Sequence, residues 1–258
     1  RGALAGAGTQ SAGLAFGGGY PAKANTESYN GSSWTELNDL NTARASLAGT
    51  GTQTAALAFG GNPVRSLTES WNGSSWTEVA DLNTGRDNLG SATAGTNTDA
   101  LAFAGSAPSE TANTELWNGS SWTEVNNLNT ATRGVAGAGT STSALSSGGA
   151  NPGITTNTEQ YNGTSWTEVN NLNTARRNLA GAGINNTSAI VYGGYSTGYV
   201  GVTEEWNGTS WTEVADMATG RSESSSIGSL TSALAGGGYN GSYLTTTELF
   251  TGPGQPIG

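Results

Sequence analysis

Apolar positions in this chain come in short runs, and no segment sustains the spacing of an amphipathic helix. A representative stretch reads Leu57-Ala58-Phe59-Gly60-Gly61, then Thr68-Glu69-Ser70-Trp71, then Ser75-Trp76-Thr77-Glu78-Val79. Each run stops at glycine, asparagine or proline, which predicts short strands joined by tight turns. The pattern then recurs. The segment Asn-Gly-(Ser/Thr)-Ser-Trp-Thr-Glu appears five times, with its tryptophan at Trp34, Trp76, Trp122, Trp166 and Trp211, at spacings of 42, 46, 44 and 45 residues. Before each copy lies Thr-Glu-x-aromatic, ending at Tyr29, Trp71, Trp117, Tyr161 and Trp206, and a sixth such piece ends at Phe250.

Cut at the residue that opens each repeat, the units run 1–43, 44–85, 86–131, 132–175, 176–220 and 221–258. Each holds four candidate strands. Strand A is rich in glycine and alanine (Leu47-Ala48-Gly49-Thr50-Gly51), and strand B is the apolar run into a double glycine. Strand C carries Thr-Glu-x-aromatic, and strand D carries the tryptophan. Asn-Gly between C and D predicts a hairpin with a type I′ turn, in which both central residues take positive φ. Proline falls almost wholly in the B–C connections and the C-terminal tail, where no ladder donor is needed.

Four strands per unit of this length is the period of a propeller blade. Small side chains on strand A suit the crowded axis of such a ring. The chain is therefore expected to be all-β, a six-unit β-propeller of four-stranded antiparallel blades forming a single domain over residues 1–258. A parallel β-helix is the structural rival, but its coils are usually about half this length and need no hairpin at each turn. The sixth unit has strands A to C and then Thr251-Gly252-Pro253-Gly254 where the Asn-Gly-Ser-Ser-Trp hairpin is due. The last blade is thus expected to lack its outermost strand, and either the ring closes that way or another segment completes it.

A unit-opening arginine, an apolar run into Gly-Gly, an aromatic and a tryptophan shortly after resemble the Kelch motif, and the resemblance spans all six units. The wording of the repeat, as in Trp71-Asn72-Gly73-Ser74-Ser75-Trp76-Thr77-Glu78-Val79, further resembles Kelch-like repeat proteins of marine bacteriophages. Three features depart from the Kelch pattern. The aromatic-to-tryptophan gap is shorter than usual, one double glycine is Ala104-Gly105, and one unit opens with Thr132 and has Arg133 beside it. The phage resemblance implies a virion or extracellular location and a role as a fibre or appendage domain.

Composition narrows the chemistry. Leu, Ile, Val and Phe together make up less than about a fifth of the chain, a level associated with disorder. Eight tryptophans and eight tyrosines oppose that, because each large ring buries much area. A net charge of −10 repels a nucleic-acid backbone, so no nucleic-acid partner is expected. The chain has no cysteine and no histidine, which removes disulfides, thiolates, the commonest general base and the commonest transition-metal ligand. Galactose oxidase, the enzyme precedent among Kelch-type propellers, needs histidine and a cysteine cross-link that this chain cannot supply. No apolar run is long enough to span a membrane, so no insertion is expected, and the first ten residues lack the apolar core of a signal peptide.

Glu27, Glu69, Glu115, Glu159, Glu204 and Glu248 sit two residues before the C-strand aromatic and share its face. That places them between blades, near Arg1, Arg44, Arg86, Arg176 and Arg221, with Arg133 expected to stand in where Thr132 replaces the arginine. Six near-identical copies point to structural ion pairing rather than acid–base catalysis. Asn-Gly-(Ser/Thr) also matches the glycosylation acceptor pattern, but a hairpin turn repeated five times accounts for it. Asp39 and Asp81 suggest calcium until their counterparts prove to be Asn127 and Asn171, which favours a turn-capping role. No metal, cofactor or catalytic residue is therefore expected.

The variable element is the B–C connection. It reads Tyr20-Pro21-Ala22-Lys23, Asn62-Pro63-Val64-Arg65, Ala107-Pro108-Ser109-Glu110, Asn151-Pro152-Gly153-Ile154, Tyr195-Ser196-Thr197-Gly198-Tyr199 and Tyr239-Asn240-Gly241-Ser242-Tyr243. In an up-and-down blade these loops leave one face, and ring closure brings units five, six and one together. Tyr20, Tyr195, Tyr199, Tyr239 and Tyr243 are the candidate ligand-binding patch, since tyrosine offers a flat apolar face and a polar tip. The alternative is that they are loop fillers that drifted after duplication. The expected function is non-enzymatic: contact with a host-surface glycan or a neighbouring virion subunit, or else a structural spacer without a ligand of its own.

Overall fold

The computed structural model describes residues 1–63 and 66–252, and residues 256–257 as backbone. Val64 and Arg65, in the second unit's B–C connection, and Pro253-Gly254, in the tail, lie outside the described residues. The chain forms six antiparallel four-stranded sheets, each in the order A-B-C-D. In the first blade the strands are Ala5–Thr9, Ala12–Phe16, Thr26–Tyr29 and Trp34–Glu36. The sixth blade has Ile227–Ser229, Ser232–Gly236 and Thr247–Thr251, and among the described residues its outer edge carries a two-residue pairing of Pro256–Ile257 with Phe250 and Leu249. The tryptophan-bearing hairpin is absent from this blade, as the sequence predicts. The A strands of successive blades touch each other, and those of the sixth and first blades meet to close the ring. This is a six-bladed β-propeller.

Packing explains the residue pattern. Each D-strand tryptophan lies against the preceding blade. Trp76 packs edge-on against Phe16 at 4.9 Å, Trp122 against Phe59 at 4.9 Å and Trp166 against Phe103 at 5.0 Å. Its indole N–H donates to the C-strand threonine of that neighbour, as in Trp76 to Thr26 Oγ1 at 2.9 Å and Trp122 to Thr68 Oγ1 at 3.1 Å. Burying one such ring removes roughly 150–250 Å² from water, a gross gain of about 4–6 kcal/mol. Strand A must be nearly side-chain-free for the blades to approach. A Cβ on Gly49 would lie 2.4 Å from Phe16 Cζ.

A belt of backbone hydrogen bonds encircles the axis. The residue two places after each unit opening (Ala3, Ser46, Asn88, Gly134, Asn178 and Glu223) donates its N–H to the carbonyl of its counterpart one blade back. The six bonds measure 2.7–2.9 Å, and the last runs from Ala3 to Glu223 across the seam. All six residues take positive φ, from +52° to +65°. That conformation disfavours most L-residues, and here it turns each N–H toward the next blade.

The repeated carboxylates are structural. Arg44–Glu69 (3.0 Å), Arg86–Glu115 (2.5 Å) and Arg176–Glu204 (2.8 Å) are fully shielded from solvent, and Arg221 pairs with Glu248. Burial pushes the guanidinium pKa of Arg44, Arg86 and Arg176 down, and the partner carboxylate pulls it back up. The expected substitution by Arg133 does not occur. Thr132 occupies the arginine's place, and Arg133, one residue on, points to the opposite side of the strand and pairs with Glu110 at 3.1 Å near the surface. Glu159 instead accepts from the N–H groups of Asn129 (2.8 Å) and Thr130 (3.1 Å) and from the Asn129 side chain (2.8 Å).

The C–D turns also differ from expectation. Glycine alone takes positive φ there (+94° at Gly31, +93° at Gly73), so these are not type I′ turns. Each is a longer loop in which the asparagine side chain accepts two backbone N–H bonds, as Asn72 Oδ1 does from Ser74 and Ser75 at 2.9 Å. The side chain replaces the second left-handed residue as the turn's organiser.

Candidate functional site

The structure brings the five candidate tyrosines together. Tyr195 and Tyr199 face each other across the fifth B–C loop with ring centroids 5.3 Å apart, and Tyr239 and Tyr243 do the same in the sixth, at 5.3 Å. Tyr199 bridges the two loops by meeting Tyr239 at 5.5 Å. All three contacts are edge-to-face, the arrangement that ring quadrupoles prefer. Tyr243 Oη then accepts the backbone N–H of Tyr20 at 2.9 Å, which joins the sixth blade to the first. The result is one ridge across three blades. Tyr20, Tyr199 and Tyr243 are exposed, whereas Tyr195 and Tyr239 are half-buried between them.

Local folding explains the placement. After the double glycines of the fifth and sixth units the chain makes a small antiparallel bridge, Tyr195 with Tyr199 and Tyr239 with Tyr243. Residues paired across a bridge project to the same side, so the two tyrosines of each loop stand together. The first-blade loop has glycine at the corresponding place, and Tyr20 follows it by one residue. Its hydroxyl reaches inward and meets Ser46 Oγ at 2.7 Å, on the axial belt. The ridge therefore runs up to the mouth of the central channel.

That mouth carries polar groups that the sequence reading did not single out. The axial cavity, about 100 Å³, is lined near its opening by Ser46, Asn88, Asn178 and Glu223. Burial raises the pKa of Glu223, and the charge of Arg177 partly opposes the shift. The Arg177 guanidinium lies over the Tyr195 ring, 5.4 Å from its centroid, within cation–π reach. Burial likewise raises the pKa of Tyr20. Asparagine or glycine, which tolerate positive φ, stands two places after the unit opening in only three of the six units (Asn88, Gly134 and Asn178), so the amino-acid order carries little signal for this position and none for Glu223.

The arrangement combines flat aromatic faces, one cation, one carboxylate and several amide and hydroxyl groups on one side of a rigid ring. Groups of this kind can bind an amphipathic ligand. The repeated Glu-Arg pairs lie between blades instead, and the second glutamate set (Glu36, Glu78, Glu124, Glu168 and Glu213) is exposed on the outer strands.

Comparison with known proteins adds the fold and nothing finer. The solved structure of YjhT superposes with a TM-score of 0.79 over 100% of this chain and 97% of that one, at 15% sequence identity. No family model matches the chain, and no curated protein matches it.

Proposed function

We propose that this propeller is a non-enzymatic recognition domain whose tyrosine ridge contacts a glycan, on a virion fibre or appendage or on a cell surface. The observation that carries the reading is the continuous contact of Tyr195, Tyr199, Tyr239, Tyr243 and Tyr20 across three blades, with three of the rings exposed. Tyrosine faces accept the C–H faces of a sugar ring, while phenol, amide and carboxylate groups nearby can satisfy its hydroxyls. The Kelch-like wording of the repeat and its likeness to phage repeat proteins support the setting. Variable loops on a rigid scaffold are also the usual way in which binding sites diversify. A glycan array probed with the labelled protein tests the reading. Saturable binding to a defined glycan class is expected; silence across the array leaves the propeller as a spacer or a contact surface for another subunit.

A further inference from the structure

The seam between the sixth and first blades differs from the other five interfaces. A cavity of about 460 Å³ opens there, lined among others by Leu4, Glu27, Trp34, Gly236, Gly237 and Thr245. Glu27 pairs with Arg1 at 2.7 Å, yet its side chain is 42% exposed, against none for Glu69, Glu115 and Glu204.

The other five interfaces show what fills this space. At each, the segment that leaves strand D lies in the corresponding place: Asp39-Leu40-Asn41-Thr42, Asp81-Leu82-Asn83-Thr84, Asn127-Leu128-Asn129-Thr130, Asn171-Leu172-Asn173-Thr174 and Asp216-Met217-Ala218-Thr219. Four groups do the same work each time. The Asp or Asn side chain accepts the N–H of the C-strand threonine (Thr26, Thr68, Thr114, Thr158 and Thr203) at 2.9–3.2 Å. The N–H of the Leu or Met donates to the residue two places before that threonine, at 2.9–3.0 Å, and its side chain is buried between blades. The next residue's N–H donates to the glutamate of the following blade, at 2.7–2.8 Å. Where that residue is Asn, its amide also bonds the same carboxylate (2.8–2.9 Å) and the D-strand tryptophan carbonyl (3.0–3.3 Å).

Every receptor group of this set exists at the seam. Thr247 and Thr245 are the C-strand threonine and the residue two before it. Leu4, Trp34 and Gly237 border the apolar space, and Glu27 and the Trp34 carbonyl await the asparagine. Among the described residues, no counterpart of Leu40, Leu82, Leu128 or Leu172 enters it, and no backbone N–H reaches Glu27.

We infer that the seam is a peptide-binding site for an extended partner segment of the form (Asp/Asn)-Leu-Asn-Thr. Leucine fills the cavity, and asparagine caps Glu27 through its backbone and side-chain N–H groups. The acidic or amide residue before leucine takes the Thr247 N–H. Selectivity arises because leucine and asparagine must be adjacent, so that one enters the apolar space while the other meets the carboxylate.

The test titrates the 258-residue protein with a capped synthetic peptide of the sequence of residues 37–43, followed by calorimetry and by Trp34-sensitive fluorescence. Saturable one-to-one binding is expected. Replacing the peptide's Leu40 or its Asn41 with alanine should each weaken binding about tenfold or more. In the protein, Glu27→Ala should weaken the parent peptide to a similar degree. It should weaken the peptide with alanine in place of Asn41 by less, since only the backbone N–H of that position then remains to be lost, as Ala218 N–H alone meets Glu248 at 2.7 Å. Circular dichroism and the unfolding midpoint of Glu27→Ala confirm that the ring remains folded, as the exposure of Glu27 leads one to expect. Absence of saturable binding overturns the inference, and so does equal binding of a scrambled peptide. Concentration-dependent self-association that the peptide does not displace overturns it too, because the seam would then be a contact between copies.

Discussion

Arg176 and Glu204 meet at 2.8 Å with neither side chain reaching solvent, and the same pairing recurs in four other units, partly exposed only at Arg1–Glu27, whereas Glu159 is buried with no arginine at all. The two environments make opposite demands on a substitution. Removing Glu204 strands a buried guanidinium that also donates to the Gly193 and Val202 carbonyls at 2.8 and 2.6 Å. Glu204→Ala is therefore expected to cost about 3–5 kcal/mol in chemical unfolding. Glu159→Gln leaves no cation behind and keeps an acceptor for Asn129 and Thr130, so it should cost markedly less. Equal losses for the two variants would show that the ion pair is not what Glu204 contributes.

The tyrosine ridge should be separable from stability. Tyr199 and Tyr243 are exposed, and their main partners are other tyrosines of the ridge. The double variant Tyr199→Ala/Tyr243→Ala is expected to abolish glycan binding while moving the thermal midpoint by only a few degrees, because exposed substitutions rarely cost more than about 1 kcal/mol. A large drop in the midpoint would identify the rings as packing elements.

Glu223 offers a pH signature. Its pKa is raised in the folded ring, chiefly by burial. A carboxyl raised above its unfolded value favours the folded state while protonated, and this contribution is lost as pH rises through the folded pKa. At neutral pH, Glu223→Gln should thus be more stable than the parent protein. The advantage should shrink as pH falls toward the unfolded carboxyl range, near about 4. Midpoints measured from pH 8 to pH 4 decide this, and a difference that does not change with pH would refute it.

Strand A should tolerate no side chain where the loops do. Gly49→Ala drives a Cβ into Phe16 and is expected to destabilise by about 1–3 kcal/mol. Gly153, in the fourth B–C loop, has nothing within 4 Å of its would-be Cβ, so Gly153→Ala should be neutral or slightly stabilising. Comparing the two unfolding midpoints checks the argument.

Blade number, strand order, the inner position of strand A and the pairing of arginines with C-strand glutamates were all legible in the amino-acid order. Each rests on a local pattern copied five or six times, and a short strand has only two faces, so periodicity assigns every copy alike. The grouping of the five tyrosines followed from the same periodicity plus ring closure. Other features needed the folded ring. Arg133 turns away from Glu159 because a shift of one residue reverses a strand side chain, and Glu110 lies on the side it then faces. The asparagine turns depend on side-chain hydrogen bonds that a dipeptide signal does not distinguish from a type I′ turn. The axial belt and Glu223 at its rim involve residues far apart in the chain, each bonded to its counterpart in the neighbouring blade. Such contacts exist only once six blades share one axis. The seam cavity is of the same kind: its lining comes from both ends of the chain, which closure alone brings face to face.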